Sequence, residues 1–355
     1  MSAADRLADR LAERELDALL VTYLPNVRYL TGYTGSNGVC IVGAEQRDFI
    51  TDFRYVEQVK REVQGFDRIE GKQDLMGDVA ERLRGRVGFE DQHMTVRAHK
   101  RLRDLVGEGT ELVAAGGMVE DLRAVKTPDE IARIREAAKL ADGILEYVRE
   151  RGLVGRTERD VAVDLEHEMR ERGAEEPSFP SIVAAGPNGA LPHAVPGTDE
   201  ITAGQLVVVD LGCRVDGWCS DCTRTFATGE LDDGAREVYD LVLRAQLEAL
   251  GAIHAGAGNR EVDGVARSII DSAGYGERFG HGLGHGVGLE VHEGPRLSRL
   301  APEDARLEAG NVVTVEPGVY LPGELGVRIE DLVVVTDDGS EILSGFPKEL
   351  VTVEG

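Results

Sequence analysis

The chain has 355 residues, a length that supports two domains with separate hydrophobic cores. Its 65 acidic and 40 basic residues give a net charge of −25, and the absence of a basic stripe argues against nucleic acid as a partner. Four cysteines, no apolar leader and no apolar run of membrane-spanning length predict a cytoplasmic protein with neither structural disulfides nor a membrane partner.

The basic residues are unusual in kind, because only six of the forty are lysines. Together with the acidic excess, this composition predicts a halophilic surface. In concentrated salt, screening removes the charge repulsion that would strain such a fold in dilute buffer.

Residues 1–118 predict an α/β domain. Acids and arginines at helical spacing indicate a first helix over residues 1–20. Short apolar strands and further helices alternate after it. The strands are expected at 18–22, 39–42, 49–51 and 86–90, and the helices near 52–63 and 95–106.

Residues 119–355 predict a second domain, which opens on a strong helix start. Thr127 and Glu130 form a capping box, and Pro128 occupies the first helical position. The buried face of this helix is predicted at Ile131, Ile134, Leu145 and Val148.

The second domain also predicts an internal repeat. One helix is expected from Thr157 to Gly173, and the order of helices and strands then recurs. The predicted strands are 181–185, 206–211, 218–227, 287–292, 312–316 and 327–335, and the second pair of helices is 235–255 and 260–273. Two sets of two helices and three strands imply a pseudo-twofold fold with its pocket between the halves.

Two aspartates predict a cation site in the first half. Asp216 and Gly217 form a two-residue hairpin turn, which places Asp210 opposite Thr223. Asp221 is then a diagonal neighbour of Asp210, roughly 7–8 Å away at the backbone. A single acid at a strand end is more often a turn or cap residue, but two buried acids are costly unless something compensates their charge.

The second half supplies the remaining candidates. Residues 279–293 hold three of the eight histidines, His281, His285 and His292, among glycines that rule out a helical zinc motif. This segment is predicted to be a loop that enters a strand. Glu316 ends one apolar strand and Glu330 interrupts another. Four carboxylates and one imidazole suit Mn, Co, Fe or Zn better than a thiolate zinc site would.

At these positions the sequence resembles the pita-bread metallopeptidase family, which includes methionine aminopeptidase, aminopeptidase P and prolidase. The likeness rests on the five ligands in family order, Asp210, Asp221, His285, Glu316 and Glu330, and on the stretches 122–130, 280–285, 315–318 and 328–331. It covers nearly the whole chain. It implies a creatinase-like α/β domain over 1–118, followed by a pita-bread catalytic domain over 119–355.

The resemblance also implies a function. Members of its proline-specific branch hydrolyse Xaa-Pro bonds, so the expected substrate is a small Xaa-Pro peptide, above all a dipeptide, and the expected assembly is a homodimer. Two divalent ions, Mn or Co with Zn or Fe as alternatives, would carry a bridging hydroxide. Glu316 would also relay the proton, His292 would stabilise the tetrahedral intermediate, and His193 and His281 would contact the substrate.

Several alternatives remain open from the sequence. Arg328 could bind a substrate carboxylate or a neighbouring acid. Cys219 and Cys222 are interpreted as small buried side chains and not as a metal motif. The chain could be an aminopeptidase P acting on longer peptides, a metal-retaining binding protein, or a hydrolase of another small acid or amide.

Overall fold

The computed structural model describes residues 1–353 of the chain. It divides into two compact units, Met1–Arg123 and the segment from Ala124 onward. Within residues 1–353, no helix combines the length and the apolar character needed to cross a bilayer.

The first unit is a mixed sheet with helices on both faces. Its strands are β1 Ala18–Val21, β2 Gly38–Gly43, β3 Arg47–Asp52, β4 Asp67–Gly71, β5 Gly85–Phe89 and β6 Thr110–Ala114, in the order β4-β3-β2-β1-β5-β6. Its helices are α1 Ala3–Leu11, α2 Leu24–Thr31, α3 Val56–Glu62, α4 Met76–Ala80, α5 Val96–Leu105 and α6 Met118–Ala124. Alternate residues of β1 enter different cores: Leu19 packs with α1 and α2, and Leu20 packs with α4 and α5.

The predicted strands of this unit are confirmed, but the length of the first helix was wrong. A capping box of Ser2 and Asp5 starts α1, which ends at Leu11. A 3₁₀ turn, Ala12–Arg14, and the left-handed Glu15 (φ 54°) then reverse the chain. The helical pattern could not continue to residue 20, because β1 is buried along its whole length in the sheet.

The helix α6 lies across the domain boundary predicted at residue 118. Met118, Val119 and Leu122 belong to the hydrophobic core of the first unit. The first compact unit therefore continues past residue 118, to Arg123.

The second unit pairs helices with sheets twice. Its helices are α7 Pro128–Arg151, α8 Glu158–Glu171, α9 Asp233–Gly251 and α10 Asn259–Ser272. Its strands are β7 Glu176–Pro177, β8 Ile182–Ala185, β9 Leu206–Leu211, β10 Cys213–Val215, β11 Trp218–Cys219, β12 Cys222–Ala227, β13 Gly284–Gly286, β14 Glu293–Leu297, β15 Val312–Val315, β16 Gly318–Leu321, β17 Leu325–Arg328, β18 Asp331–Val335 and β19 Ser340–Ile342. One core joins α7 and α8 to the sheet β12-β9-β8, and another joins α9 and α10 to strands that include β14, β15 and β18. The predicted repeat is confirmed at this level.

Local signals in the second unit are confirmed in detail. Thr127 and Glu130 form the predicted capping box at the start of α7. Asp216 and Gly217, with φ of 49° and 81°, form the hairpin turn, and Asp210 pairs with Thr223 as predicted. Both features depend on residues close together in sequence, which is why the sequence alone could place them.

The strand predicted at 287–292 is wrong. The structure places strands on either side of it, and the segment itself is a loop. Two of its N–H groups bond locally and not to a neighbouring strand: Gly288 N–H donates to the Glu290 carbonyl, and Glu290 N–H donates to the Glu293 carboxylate. The predicted strands 218–227 and 327–335 also break, at Asp221 and Glu330. These breaks lie at predicted ligand positions.

Gly284 provides a stability prediction for the strand that carries His285. A Cβ atom at Gly284 would lie 2.0 Å from the Thr314 carbonyl oxygen, so the neighbouring strand would have to move. We expect Gly284→Ala to lower the free energy of unfolding by about 1–3 kcal/mol. Gly280→Ala is the control, because nothing lies within 4 Å of its added Cβ. Equal midpoints for the two variants in chemical denaturation would contradict the prediction.

Candidate metal centre

Three buried carboxylates lie together in the second unit. Asp210 is the penultimate residue of β9, Asp221 lies in the break between β11 and β12, and Glu330 lies between β17 and β18. One oxygen of each carboxylate lies within 4.8 Å of the others. At such distances ionised carboxylates repel one another, so the cluster needs a compensating positive charge.

His285 and Glu316 adjoin this cluster. The His285 Nε2 atom lies 3.3 Å from Glu316 Oε1 and 3.7 Å from Asp221 Oδ2. His285 Nδ1 lies 3.1 Å from the Gly286 carbonyl, an acceptor that places the proton on Nδ1. In the metal-free site burial lowers the pKa of His285, but the hydrogen bond to Glu316 and the Glu316 charge outweigh it and raise that pKa, so the protonated ring donates from Nε2 to Glu316. A bound cation would take the place of this Nε2 proton. The structure thus brings all five predicted ligands together from both halves of the unit.

The oxygens of the cluster are only partly satisfied by the protein. Arg328 donates to Asp210 Oδ2 at 2.7 Å, and Thr223 donates to Glu330 Oε2 at 2.8 Å. Among residues 1–353, the other oxygens of these two carboxylates, Asp210 Oδ1 and Glu330 Oε1, are buried and have no hydrogen-bond partner. A divalent cation could be coordinated by both of these oxygens. The residues present therefore fit the kind of metal that the donor set predicts.

The electrostatics agree with this fit. Burial raises the pKa of Asp221 well above its ordinary value, and the charge of Glu330 adds to the effect. Burial also raises the pKa of Glu330 and of Asp210, although Arg328 opposes the shift at Asp210. At Glu316 burial is outweighed by the hydrogen bond and charge of His285, which lower the pKa to about 2.

Arg328 lies within a network of protein acceptors. Besides Asp210, it donates through Nη1 to the Tyr320 hydroxyl at 2.9 Å and to the Pro192 carbonyl at 3.2 Å, and through Nε to the Thr223 hydroxyl at 3.1 Å. These contacts favour the second of the two alternatives for Arg328, the pairing with a neighbouring acid. They also connect the carboxylate cluster to the loop that carries Pro192.

Three polar residues beside the cluster were missed by the sequence analysis. Thr223 and Thr314 bond the carboxylates of Glu330 and Glu316, and Tyr320 lies 2.9 Å from His281 Nε2 through its hydroxyl. The two-residue period of strands could have found Thr314, which precedes Glu316 by two positions. No local signal points to Tyr320, because its partners come from other strands and loops.

Three histidines with candidate catalytic or substrate-binding roles, His193, His281 and His292, line one cleft of about 880 Å³ together with the carboxylate cluster. The ring of His292 lies edge-on to that of His285, with centroids 4.3 Å apart, and burial together with the charge of His285 lowers the pKa of His292 to about 4. Burial also lowers the pKa of His281, whose Nδ1 lies 2.8 Å from the Gly282 carbonyl. His193 is exposed on the loop between β8 and β9.

The cysteines are buried side chains with individual protein contacts. All four are buried and free, and burial raises the pKa values of Cys219 and Cys222. The sulfur of Cys219 faces the Leu289 carbonyl, and that of Cys222 faces the Glu330 carbonyl. The interpretation of both as small buried side chains beside the site is confirmed.

In this cleft, carboxylates and a histidine converge from two structural repeats. Such an arrangement is typical of metal-dependent hydrolases. The sequence profile of metallopeptidase family M24 matches residues 132–337, and that of the creatinase/prolidase N-terminal domain matches residues 4–125. The chain belongs to metallopeptidase family M24, and it has the predicted arrangement of a creatinase-like N-terminal domain and a pita-bread catalytic domain.

Known proteins resemble the chain over almost its full length. It is 34% identical to a Xaa-Pro dipeptidase of Pyrococcus horikoshii, over 98% of this chain and 97% of the relative. The structure of a Xaa-Pro dipeptidase from Bacillus anthracis matches with a TM-score of 0.95 at 39% identity, over 99% of both chains. An X-Pro aminopeptidase from Thermotoga maritima matches with a TM-score of 0.89 at 35% identity, over 96% of this chain and 99% of the other.

The buried carboxylates predict how stability depends on pH and metal. Because the folded-state pKa values of Asp221 and Glu330 are raised, the metal-free protein loses stability as pH rises above about 4, the ordinary carboxyl range. Glu316 acts in the opposite direction, but its lowered pKa confines that effect to more acidic solutions. A bound cation removes the penalty and adds about 2.7 kcal/mol at a hundredfold excess over its Kd.

We therefore expect the Tm difference between manganese-loaded and chelator-treated protein to widen from pH 5 to pH 8. Asp221→Asn should raise the Tm of the metal-free protein and reduce the metal-dependent increase, since it removes a buried charge and a ligand. Differential scanning calorimetry measures both. A Tm difference that narrows with rising pH would contradict the prediction.

Proposed function

We propose that the protein is a Xaa-Pro dipeptidase that hydrolyses the bond before proline with the help of two divalent ions. The convergence of Asp210, Asp221, His285, Glu316 and Glu330 in one cleft carries the proposal. The likeness to Xaa-Pro dipeptidases over nearly the whole chain supports the substrate class.

The five convergent residues would hold the ions. Oxygen-rich donor sets of this kind suit manganese or cobalt, and zinc and iron also bind carboxylate and imidazole. When bound, such ions lower the pKa of water and polarise the scissile carbonyl. Asp210 and Glu330 each have one oxygen without a hydrogen-bond partner, and these two oxygens are available to coordinate the ions.

The protein side chains would divide the remaining work. Glu316 is ionised at neutral pH and would accept the proton of the attacking water. His292, whose lowered pKa keeps it neutral, would donate a hydrogen bond to the oxygen that becomes negative in the tetrahedral intermediate.

The other candidates would bind or orient. His193 lines the cleft from an exposed loop and is free to meet the substrate. His281 has partners on both ring nitrogens, so it would pack its ring against the substrate. We propose that Arg328 orients Asp210 and does not bind a substrate carboxylate, because each of its three guanidinium nitrogens already donates to a protein acceptor.

Release of free proline tests the function. Gly-Pro, Ala-Pro, Leu-Pro and a longer Xaa-Pro-Xaa peptide would be incubated with the enzyme in molar KCl, with manganese or cobalt, and with chelator as control. Metal-dependent cleavage of the dipeptides supports the proposal. Removal of only the first residue from the longer peptide would instead indicate an aminopeptidase, as the Thermotoga relative is named. Bound metal without cleavage of either would favour a binding protein or another substrate.

We further propose a cytoplasmic homodimer with a surface adapted to salt. The free buried cysteines suit a reducing compartment, and the net charge of −25 with six lysines supports the salt adaptation. The Tm should rise steadily from tens of millimolar to molar KCl. Full folding and activity at low salt, undiminished over days, would overturn the salt proposal, and sedimentation in molar KCl tests the dimer.

A further inference from the structure

The loop that carries His193 has few apolar contacts to hold it. It runs over residues 186–197 between β8 and β9. Leu191 and Val195, its large apolar side chains, are 56% and 79% exposed. A second cavity of about 420 Å³ borders the loop. Ala194 joins a small hydrophobic cluster with Ile182 and Ala184. Polar contacts must supply the rest of what holds the loop.

Glu158 supplies such contacts. It is the first residue of α8 and is 3% exposed. Its Oε1 atom accepts from the backbone N–H of Ala185, which directly precedes the loop, at 2.7 Å. Its Oε2 atom accepts from Asn188 Nδ2 and from the Gly197 N–H, each at 2.7 Å. One buried carboxylate thus joins the start of the loop, at Ala185 and Asn188, to its end at Gly197.

The segment fixed in this way contains the residues that face the cleft. Pro192, His193 and Ala194 line the cleft, and the Pro192 carbonyl accepts from Arg328, which also holds Asp210. His193 lies between the points that Glu158 anchors, Asn188 and Gly197. Movement at Glu158 is therefore transmitted to the position of His193.

We propose that Glu158 is a positioning residue for peptide hydrolysis, which acts through the loop 186–197 by holding His193 at the cleft. The inference rests on the proposed function, since it assigns the substrate contact to His193. A carboxylate suits the position because it only accepts hydrogen bonds, and the groups that face it only donate. A glutamine would present an N–H₂ group to at least one of these donors.

A double-mutant cycle tests the proposal. We expect Glu158→Ala to lower kcat/KM for a Xaa-Pro dipeptide by about tenfold to a hundredfold, with a smaller loss for Glu158→Gln. In a His193→Ala background, Glu158→Ala should cost less than about twofold, because the residue through which it acts is gone. The affinity for manganese should fall much less than kcat/KM, because the loop reaches the predicted ligand Asp210 only through Arg328. Losses that multiply in the double variant would overturn the proposal.

Hydrogen exchange gives a readout that does not depend on activity. Glu158→Ala should accelerate exchange at the amides of Ala185, Gly197 and the loop between them, and leave that of β9 unchanged. Asp142→Ala is the matched control, since its carboxylate accepts from the N–H groups of Gly345 and Phe346 in another loop. Unchanged exchange of loop 186–197 in Glu158→Ala would refute the anchoring. If the wild-type protein cleaves no Xaa-Pro peptide, the proposed function is refuted. Faster exchange in Glu158→Ala would then still establish that Glu158 anchors the loop.

Discussion

Glu316→Gln is expected to abolish peptide hydrolysis while leaving the fold intact. Glutamine has the shape of glutamate and keeps an oxygen that can accept from Thr314, whose hydroxyl lies 3.2 Å from Glu316 Oε1. It loses the negative charge that faces His285 and cannot take a proton from water. We expect kcat to fall by about a thousandfold or more, within the upper range for removal of a general base.

The experiment separates chemistry from folding and from metal content. Circular dichroism and Tm should remain close to those of the parent protein, and metal analysis of the loaded variant shows how much cation it retains. Glu324→Gln is the matched control, because Glu324 is exposed in the turn between β16 and β17 and should tolerate the change. Substantial activity in Glu316→Gln would show that the site is assigned to the wrong residues.

The largest stability effect is expected at Arg224. This side chain is 2% exposed and pairs with Asp331, which is fully buried, at 2.8 Å. Arg224 also donates to the carbonyls of Phe346 and Glu330. Arg224→Ala leaves these acceptors and the Asp331 charge without that partner, so we expect a loss of about 3–5 kcal/mol in the free energy of unfolding.

Two comparisons sharpen this prediction. Arg133→Ala breaks an exposed pair with Asp216, whose side chains are 50% and 62% exposed, and should cost less than about 1 kcal/mol. The double variant Arg224→Met, Asp331→Leu should be more stable than Arg224→Ala, because it also removes the buried Asp331 carboxylate. Lys348 and Gln246 lose that acceptor in the double variant, which limits the gain. Urea denaturation in molar KCl measures all three. If Arg224→Ala lowered the free energy of unfolding by no more than Arg133→Ala does, the buried pair would not have the predicted stabilising effect.

The position of Arg224 also bears on the site. Its neighbour Thr223 bonds Glu330, and its partner Asp331 follows Glu330 directly in sequence. Lys348 and Gln246 donate to the same Asp331 carboxylate. The carboxylate cluster is therefore backed by a buried polar network around Asp331.

Contacts between residues near in sequence could be predicted from the chain alone. The turn at Asp216 and Gly217 sets the register that pairs Asp210 with Thr223, because a two-residue hairpin permits one alignment of its strands. The capping box at Thr127 fixed the start of α7 in the same way. Acids at strand ends and histidines among glycines predicted a site in this region, and the resemblance to the pita-bread family supported the five residues, with His285 among the three histidines, that the structure brings together.

The tertiary structure decided whatever depends on partners distant in the chain. It made 287–292 a loop, turned Arg328 towards Asp210, and placed Tyr320 beside His281. It also set Glu158 under the loop of His193, where the sequence shows only an acid in the first turn of a helix. A local pattern fixes the backbone of a segment, but the partners of a buried polar side chain depend on which strands and loops pack around it.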